Sequence, residues 1–589
     1  MADIVSDVLA LQARLRELET WPRPGIQQLF SVKSYGARGD GSTDDSAAFS
    51  SAITAALAAG GGVVNLPHGT YKLSTAISLT SYASAGGVRL VGEGPDRTII
   101  DATGLTTAFS FSAALGGSST LSGALAADAV SVGVNSVTPF ADDSLALVSD
   151  GTKSELLEIR DITGTTLTFR QGARWAYANG STITAVPGPR NIHVEGLAVK
   201  GAQRAFYFRY GAGVMVRNCR VIDFGSAVTG GLAFDDCARV RVEGCDLGNG
   251  GETAIQVQRS GYVQILNNHL HDNAYPGVFV NDYTSHFTIA GNHISACKTY
   301  GIFVNDFVKY GTVSGNTIHG IIRIAGGVLD SNAYGITLQS DIQHVAVTGN
   351  NIHGGNTGIY FAITVEHCSA VGNTVSGGRL GDAAIQVAGI YLDTDCAHCA
   401  VNGNTVYDCD LVGINLHTNI TYCAVTGNTV RDVNTQVAFS PPCVGISVDD
   451  DTTGTVGNTV VGNTVVGLPG APVASSIGIH LNGALGGICA HNWVLGWATG
   501  IVLAGSTDYF VIDGNILDGN TDNTITVVGS NSQITNNIGH DPVGTVPLPD
   551  GVTAPATRSG TAYIYVDTAD GDLKIKYGDG TVKTIVVDT

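Results

Sequence analysis

The stretch CAVTGNTV, residues 423–430, puts Cys423, Val425 and Val430 on one side of an extended chain and Ala424, Thr426 and Thr429 on the other, with Gly427 and Asn428 breaking the parity. Alternation of apolar and polar residues is the pattern of a half-buried strand. The phrase returns as VAVTGNNI (345–352) and FTIAGNHI (287–294). Its asparagine falls at Asn268, Asn292, Asn316, Asn350, Asn373, Asn404, Asn428, Asn463, Asn492, Asn515 and Asn537, at intervals of 22 to 35 residues, and Asn218 and Gly244 extend the series upstream. Glycine and asparagine tolerate left-handed backbone, so the pair lets the chain bend between two strands. Stacked copies would align their asparagines in a ladder.

A second strand lies between successive markers: GIFV (301–304), GITL (335–338), GIYF (358–361), GIYL (389–392), GINL (413–416), GISV (445–448), GIHL (478–481) and GIVL (500–503). One repeat of two or three strands cannot bury its apolar side alone; stacked repeats make a continuous core. The repetition predicts an all-β chain, a right-handed parallel β-helix of about fourteen coils and roughly 65 Å at about 4.8 Å per coil. Within it GVFVNDY (277–283) and GIFVNDF (301–307) are one phrase on neighbouring coils. Val278, Val280, Ile302 and Val304 are expected to point inward. Phe279, Phe303, Asn281 and Asn305 are expected to point outward, with Asp282 and Asp306 at the strand ends.

Composition agrees. Glycine makes up 78 of 589 residues and charged residues only 14%, which suits many short strands and tight turns rather than solvated helices. A formal charge of −20 without basic runs argues against nucleic acid and anionic membranes as partners. No run has transmembrane character, and MADIVSDV at the start lacks the basic region of a signal peptide. The eleven cysteines have no compact framework spacing. Cys368, Cys399 and Cys423 each stand five residues before a marker asparagine, where other coils carry Val345, Phe287 and Phe510. They read as core residues rather than zinc ligands, despite Cys396-x-x-Cys399. No metal and no cofactor is expected.

The rhythm breaks in places that suggest five segments. Residues 1–25 carry Ile4, Val8, Leu11, Leu15 and Leu18 at 4-3-4-3 spacing, a two-heptad helix that would persist only as the tip of a larger trimer. Residues 26–122 open the β-helix and include a helix with Ala48, Phe49, Ile53 and Leu57 on its apolar face, suited to cover an open end. Thr43 or Asp44 would cap that helix, and Asp44 and Asp45 read as capping groups. Residues 123–187 look like a small antiparallel β insertion, 188–540 are the coils, and 541–589 are a Pro/Gly linker and a β-hairpin module with Asp-Gly turns.

YGARGDGSTDDSAAFSSAI (35–53) followed by GGGVVNLPHGTY (60–71) resembles the opening segment of the pectate-lyase-like β-helix superfamily, as found in many bacteriophage tailspikes. The insertion and the terminal GDLKIKYGDGTVKTI also resemble phage tail-protein features. The resemblance covers nearly the whole chain. It implies a homotrimeric spike, on a virion or extracellular, that recognises and often cleaves a bacterial surface polysaccharide. It also implies attachment to a tail or baseplate protein through the N-terminus. With a short segment before residue 30 in place of the long attachment domain usual there, the helix of residues 1–25 would be expected to do that work.

The outward positions of the second strand carry the candidate chemistry. Tyr207, Phe279, Asn281, Phe303, Asn305, Gln339, Tyr360 and Tyr391 combine aromatic rings with amides, a mixture suited to sugars, whose apolar faces stack and whose hydroxyls hydrogen-bond. Hydrolysis of a glycosidic bond needs two carboxyl groups, about 5–5.5 Å apart for retention and 6.5–9.5 Å for inversion. Asp282 over Asp306, one coil apart, fits the first spacing; Asp393 and Asp395, two residues apart, fit the second. Stacked carboxylates repel, which raises one pKa toward that of a general acid. Asp235, Glu252 and Asp449 are reserves. Arg209 and Arg259 share the face and suit acidic sugars. The Gly-His-Gly and Arg-x-Lys elements of polygalacturonase-like members are absent. Three readings stay open: a depolymerising spike, a spike that only binds glycan, and a lyase or other polyuronate-modifying enzyme.

Overall fold

The computed structural model describes residues 28–539, apart from 81–86, 228–229, 322–323, 326–327, 330–332, 378–387, 434–442, 451–453, 469–474, 524 and 526–530, together with residues 562–586 apart from 570 and 578. The heptad segment 1–25 and most of the linker lie outside the described residues.

Three long parallel sheets of 18, 16 and 14 strands form a right-handed β-helix. A typical coil contributes one strand to each sheet. In one coil Ser285–Ala290 lies in the first sheet, His293–Ser295 in the second and Tyr300–Asn305 in the third. One apolar core threads the coils, including Val64, Phe109, Val242, Ile289, Ile318, Val430 and Ile512.

The marker pair marks the bend between the first and second sheets, and its two residues have separate jobs. The first sits at positive φ: Gly291 at 66°, Gly315 at 61° and Gly427 at 63°. The second builds the ladder. The Nδ2 of Asn292 donates to Oδ1 of Asn316 at 2.9 Å and to the Ile265 carbonyl at 2.9 Å, while the Asn292 backbone N–H also donates to Asn316 Oδ1 at 2.9 Å. The pattern runs unbroken from Asn268 to Asn537. The upstream extension of the series is corrected. Asn218 (φ 48°) and Gly244 (φ 61°) continue the left-handed column, not the ladder. Cys245 stands at the ladder position above Asn268 and donates its backbone N–H to Asn268 Oδ1 at 2.9 Å.

All eleven cysteines are free and buried. Burial pushes the thiols of Cys237, Cys297 and Cys489 up to about 12. The sulfur of Cys423 accepts the backbone N–H of Cys399 at 3.3 Å, so these residues form a short ladder of their own.

The helix is Ser46–Ala58, and its buried residues include Phe49, Ala52, Ile53 and Leu57, packed into the first coils. Its cap differs from expectation. Asp45 is the N-cap residue, but its carboxylate accepts the backbone N–H groups of Arg38 at 2.7 Å and Gly39 at 3.1 Å. Asp44 accepts the Ser46 N–H at 3.0 Å, and Thr43 donates instead to Asp40.

A six-stranded antiparallel sheet with its own core, including Leu121, Leu157, Phe169 and Tyr177, occupies the region from Ser118 to Val186. It is locked to the coils by buried Arg174, which pairs with Glu155 at 3.1 Å and donates to the Ser260 carbonyl at 2.5 Å. Trp175 Nε1 donates to the Tyr283 carbonyl at 2.9 Å. The strands Tyr563–Val566, Leu573–Lys576 and Val582–Val586 form a separate three-stranded antiparallel sheet. Among the described residues no helix is long and apolar enough to cross a membrane.

Candidate functional site

The third sheet carries two outward columns. Tyr207, Ala233, Gln256, Phe279, Phe303, Thr337, Tyr360, Tyr391 and Asn415 are in register along the axis. Arg209, Asp235, Gln258 and Asn281 run beside them, and Asn305 pairs with Gln339 further on. Between them the alternate residues are buried, as in Val278-Phe279-Val280-Asn281.

The rings form a ribbon. Phe279 stacks on Phe303 with centroids 5.0 Å apart, and Tyr300 covers the other side of Phe303 at 4.3 Å. Tyr334 follows on Tyr300 at 5.5 Å, Tyr360 on Tyr334 at 4.9 Å and Tyr391 on Tyr360 at 5.4 Å. Rings stacked on strand spacing cover one another's faces. With rings at 5.0 and 4.3 Å from it, Phe303 offers a ligand its edge, where stacking of a sugar on the ring is expected from the sequence. Tyr300 and Tyr334 join the ribbon from the position before the glycine, outside the alternation that marks the outward face. The signal was a tyrosine just before it, in TYGIFV (299–304) and AYGITL (333–338).

Between the rings lie polar atoms without partners. Gln256 Oε1, Asn281 Oδ1, Asn305 Oδ1, Thr337 Oγ1 and Asn415 Oδ1 are inaccessible and make no hydrogen bond within the protein. Such groups cost about 1–3 kcal/mol each when left unpaired. The side chains of Asn281, Asn305 and Asn415 are half-buried, whereas Gln256 and Thr337 are buried.

Charge gathers where this strip meets the insertion. Arg259 pairs with Asp235 at 2.5 Å, with Asp282 at 3.0 Å and with Asp236 at 3.3 Å. The hydroxyl of Tyr207 donates to Asp235 at 3.1 Å, and Ser154 of the insertion donates to Asp236 at 2.5 Å. A cavity of about 180 Å³ opens here, lined by Arg204, Tyr207, Ala233, Phe234, Asp235, Gln256 and Gln258. The sequence offered Asp235 only as a reserve and missed Arg204 and Asp236.

Asp282 and Asp306 occupy successive turns at φ 48° and 54°, joined by the Tyr283 N–H donating to the Asp306 carbonyl at 3.1 Å. Their environments differ. Asp282 is ion-paired with Arg259. Asp306 accepts from Asn305 Nδ2 at 2.8 Å; burial first, then the charges of Asp282 and Asp341, raises its carboxyl above the ordinary range. Asp393 and Asp395 part company. Asp393 accepts from Tyr360 Oη at 2.5 Å and lies 3.3 Å from His417 Nδ1; burial raises its carboxyl, but the bonds from His417, Tyr360 and Thr394 outweigh it and leave the pKa lowered. Asp395 turns to the exposed Asn419 at 2.9 Å.

A family model for the right-handed β-helix region matches residues 167–320 and 282–469, and a model described as rhamnogalacturonase A/epimerase, pectate lyase-like, matches residues 29–233. The chain belongs to the right-handed β-helix family. Among curated relatives of this β-helix protein, a mannuronan C5-epimerase of Azotobacter vinelandii is 47% identical over 73 residues, 12% of this chain and 4% of that protein. Alginate lyase 7 of the same organism is 44% identical over 73 residues, 12% of this chain and 8% of that protein. The chain thus spans only a small fraction of the curated relatives it matches. Among solved structures, the tailspike gp61 of Pseudomonas phage phi297 aligns over 87% of this chain and 81% of that chain at 13% identity and a TM-score of 0.47. The Acinetobacter baumannii phage AP22 tailspike, solved with a capsular saccharide, aligns over 86% and 76% at 12% identity and a TM-score of 0.36.

Proposed function

We propose that the chain is a polysaccharide-binding β-helix of the tailspike type. It takes an extended bacterial surface glycan along the third sheet and cleaves it by hydrolysis between Asp282 and Asp306. The half-buried amides of Asn281, Asn305 and Asn415, whose Oδ1 atoms make no hydrogen bond within the protein, carry the binding half. A row of sugar hydroxyls, each a donor, is the complement of a row of orphaned acceptors. The ring edges of Phe279, Phe303, Tyr360 and Tyr391 and the tip of Tyr207 fill the spaces between, and Gln339 extends the amide row.

The catalytic half rests on the difference between the two carboxyls. Two neighbouring carboxyls in different surroundings, one raised and one ion-paired with an arginine, suit an acid and a nucleophile. Asp306, whose carboxyl is raised by burial and by the charges of Asp282 and Asp341, is the group assigned to protonate the glycosidic oxygen as its bond to the anomeric carbon breaks. Asp282, ion-paired with Arg259, attacks the anomeric carbon as that bond breaks, and a water deprotonated by Asp306 then releases the sugar from Asp282. Equivalent atoms on adjacent coils are about 4.8 Å apart, near the spacing of retaining enzymes.

The spike acts as a homotrimer, from a virion or outside the cell, attached to a tail or baseplate protein through its N-terminus. Sedimentation should then give three times the 60.5 kDa chain mass. A second reading has its own observation. Tyr360, Asp393 and His417 form one hydrogen-bonded group, which could take a proton beside a uronate carboxylate and so serve a lyase. Sizing the products from candidate host polysaccharides tests both. Shortened chains without new ultraviolet absorbance indicate hydrolysis; shortened chains with the absorbance of an unsaturated uronate indicate elimination. Bound but full-length chains leave a spike that only binds.

A further inference from the structure

The second sheet carries a cluster that the proposed function does not use. We propose that Asp246, His269 and His271 form a binding site for a divalent transition-metal ion of the zinc type, because one carboxylate oxygen and two imidazole nitrogens converge there from adjacent coils.

The strand His269–His271 buries Leu270 and turns both histidines outward. Asp246 is in register with His269, and Gly248 with His271. That glycine shapes the site. A Cβ at position 248 would lie 2.2–2.6 Å from ring atoms of His271, so the imidazole lies across the space a side chain would fill. Its Nε2 thereby reaches Asp246 Oδ1 at 3.2 Å, and Nδ1 of His269 reaches the same oxygen at 3.1 Å. The three candidate ligand atoms lie within 4.8 Å of one another. Atoms about 3 Å apart are nearly at the separation they would have around an ion bound at about 2.0–2.2 Å, so little movement is needed.

The supports are also in place. Asp246 accepts from Arg220 Nε on its other oxygen, at 3.1 Å, which leaves Oδ1 to the site. His271 Nδ1 lies 2.8 Å from Asp272 Oδ2, the carboxylate–imidazole pairing that fixes a ligating ring and raises its basicity. On the next coil His293 is in register with His269, and its Nε2 sits 3.0 Å from Nε2 of His319. The His293 ring packs edge-on to His269 at 5.3 Å between centroids and to His319 at 4.9 Å. Two imidazoles and one carboxylate suit zinc, cobalt or nickel; calcium and magnesium prefer oxygen alone.

Cobalt(II) titration of the full chain tests the site. The expected result is one saturable equivalent per chain with visible d–d bands, displaced by zinc, and a rise in melting temperature as the ion ties two coils together. His269→Gln and His271→Gln should each abolish the bands. Asp272→Asn should weaken binding by about 10–100-fold. His398→Gln, at an exposed ring on another edge, should change nothing. Metal-free melting curves establish that each variant is folded. No saturable binding, or bands that survive both His269→Gln and His271→Gln, would overturn the proposal.

Discussion

Asn292 and Asn305 are thirteen residues apart, on the same coil, and are used in opposite ways. In the ladder, Asn292 is 1% exposed, and its amide group and backbone N–H are both engaged with neighbouring coils. On the third sheet, Asn305 has an equally inaccessible Oδ1 that meets nothing. A β-helix stacks like on like, so each column repeats one solution many times. Where the solution closes its hydrogen bonds, the column holds the fold; where acceptors stay unpaired, the proposed function gives the column a ligand. On that reading the same amide is structural or functional according to its partners.

The largest expected effect breaks the structural column. Asn316→Ala removes the acceptor of two Asn292 donors and the donor to the Ile289 carbonyl. At about 1–3 kcal/mol for each orphaned group, the loss should be about 4 kcal/mol of stability in denaturant unfolding. Asn281→Ala, on the strip, should stay within about 0.5 kcal/mol of the parent in the same measurement. Equal losses would erase the distinction.

Next comes chemistry. Asp306→Asn should lower the rate of polysaccharide cleavage by at least about a hundredfold while binding persists. Asp393→Asn and Asp395→Asn are the matched pair, and a comparable loss there with none at Asp306 would move the reaction to the Tyr360–His417 end. Asp341→Asn sharpens the assignment. It removes one of the charges that raise Asp306, so the alkaline limb of the pH–rate profile should shift to lower pH.

A smaller effect is one of stability against pH. The folded pKa of Asp306 lies above its unfolded value of about 3.9, so the charged form costs more in the fold than in the unfolded chain. That cost is absent below about pH 4 and grows as pH rises through the folded pKa. Asp306→Asn should therefore melt with the parent at about pH 4 and above it at about pH 8. The reverse order would mean that the carboxylate is stabilised where it sits.

Much of the fold was legible because columns are written in sequence as intervals. Every asparagine of the ladder from Asn268 to Asn537 could be placed by spacing alone. The division of labour within the marker was not, since glycine at φ 61° and asparagine in a ladder look alike as a dipeptide. On the face, register predicted which residues stand outward but not which rings would cover each other, so Phe303 looked like a platform. The Arg259 cluster depends on an insertion more than 80 residues away in sequence, bringing Ser154 to Asp236, and no local pattern reports that. His269 and His271 read as ordinary strand residues until Asp246, 23 positions earlier, is set beside them.

Binding of bacterial surface polysaccharide to the Asn281→Ala/Asn305→Ala double variant, measured beside the parent by affinity electrophoresis, tests the central claim most directly. If the open acceptors are the glycan site, the double variant should lose binding by at least about tenfold, as expected for two hydrogen bonds of about 1 kcal/mol each, with its melting temperature unchanged. Parental affinity in a folded double variant would contradict the account.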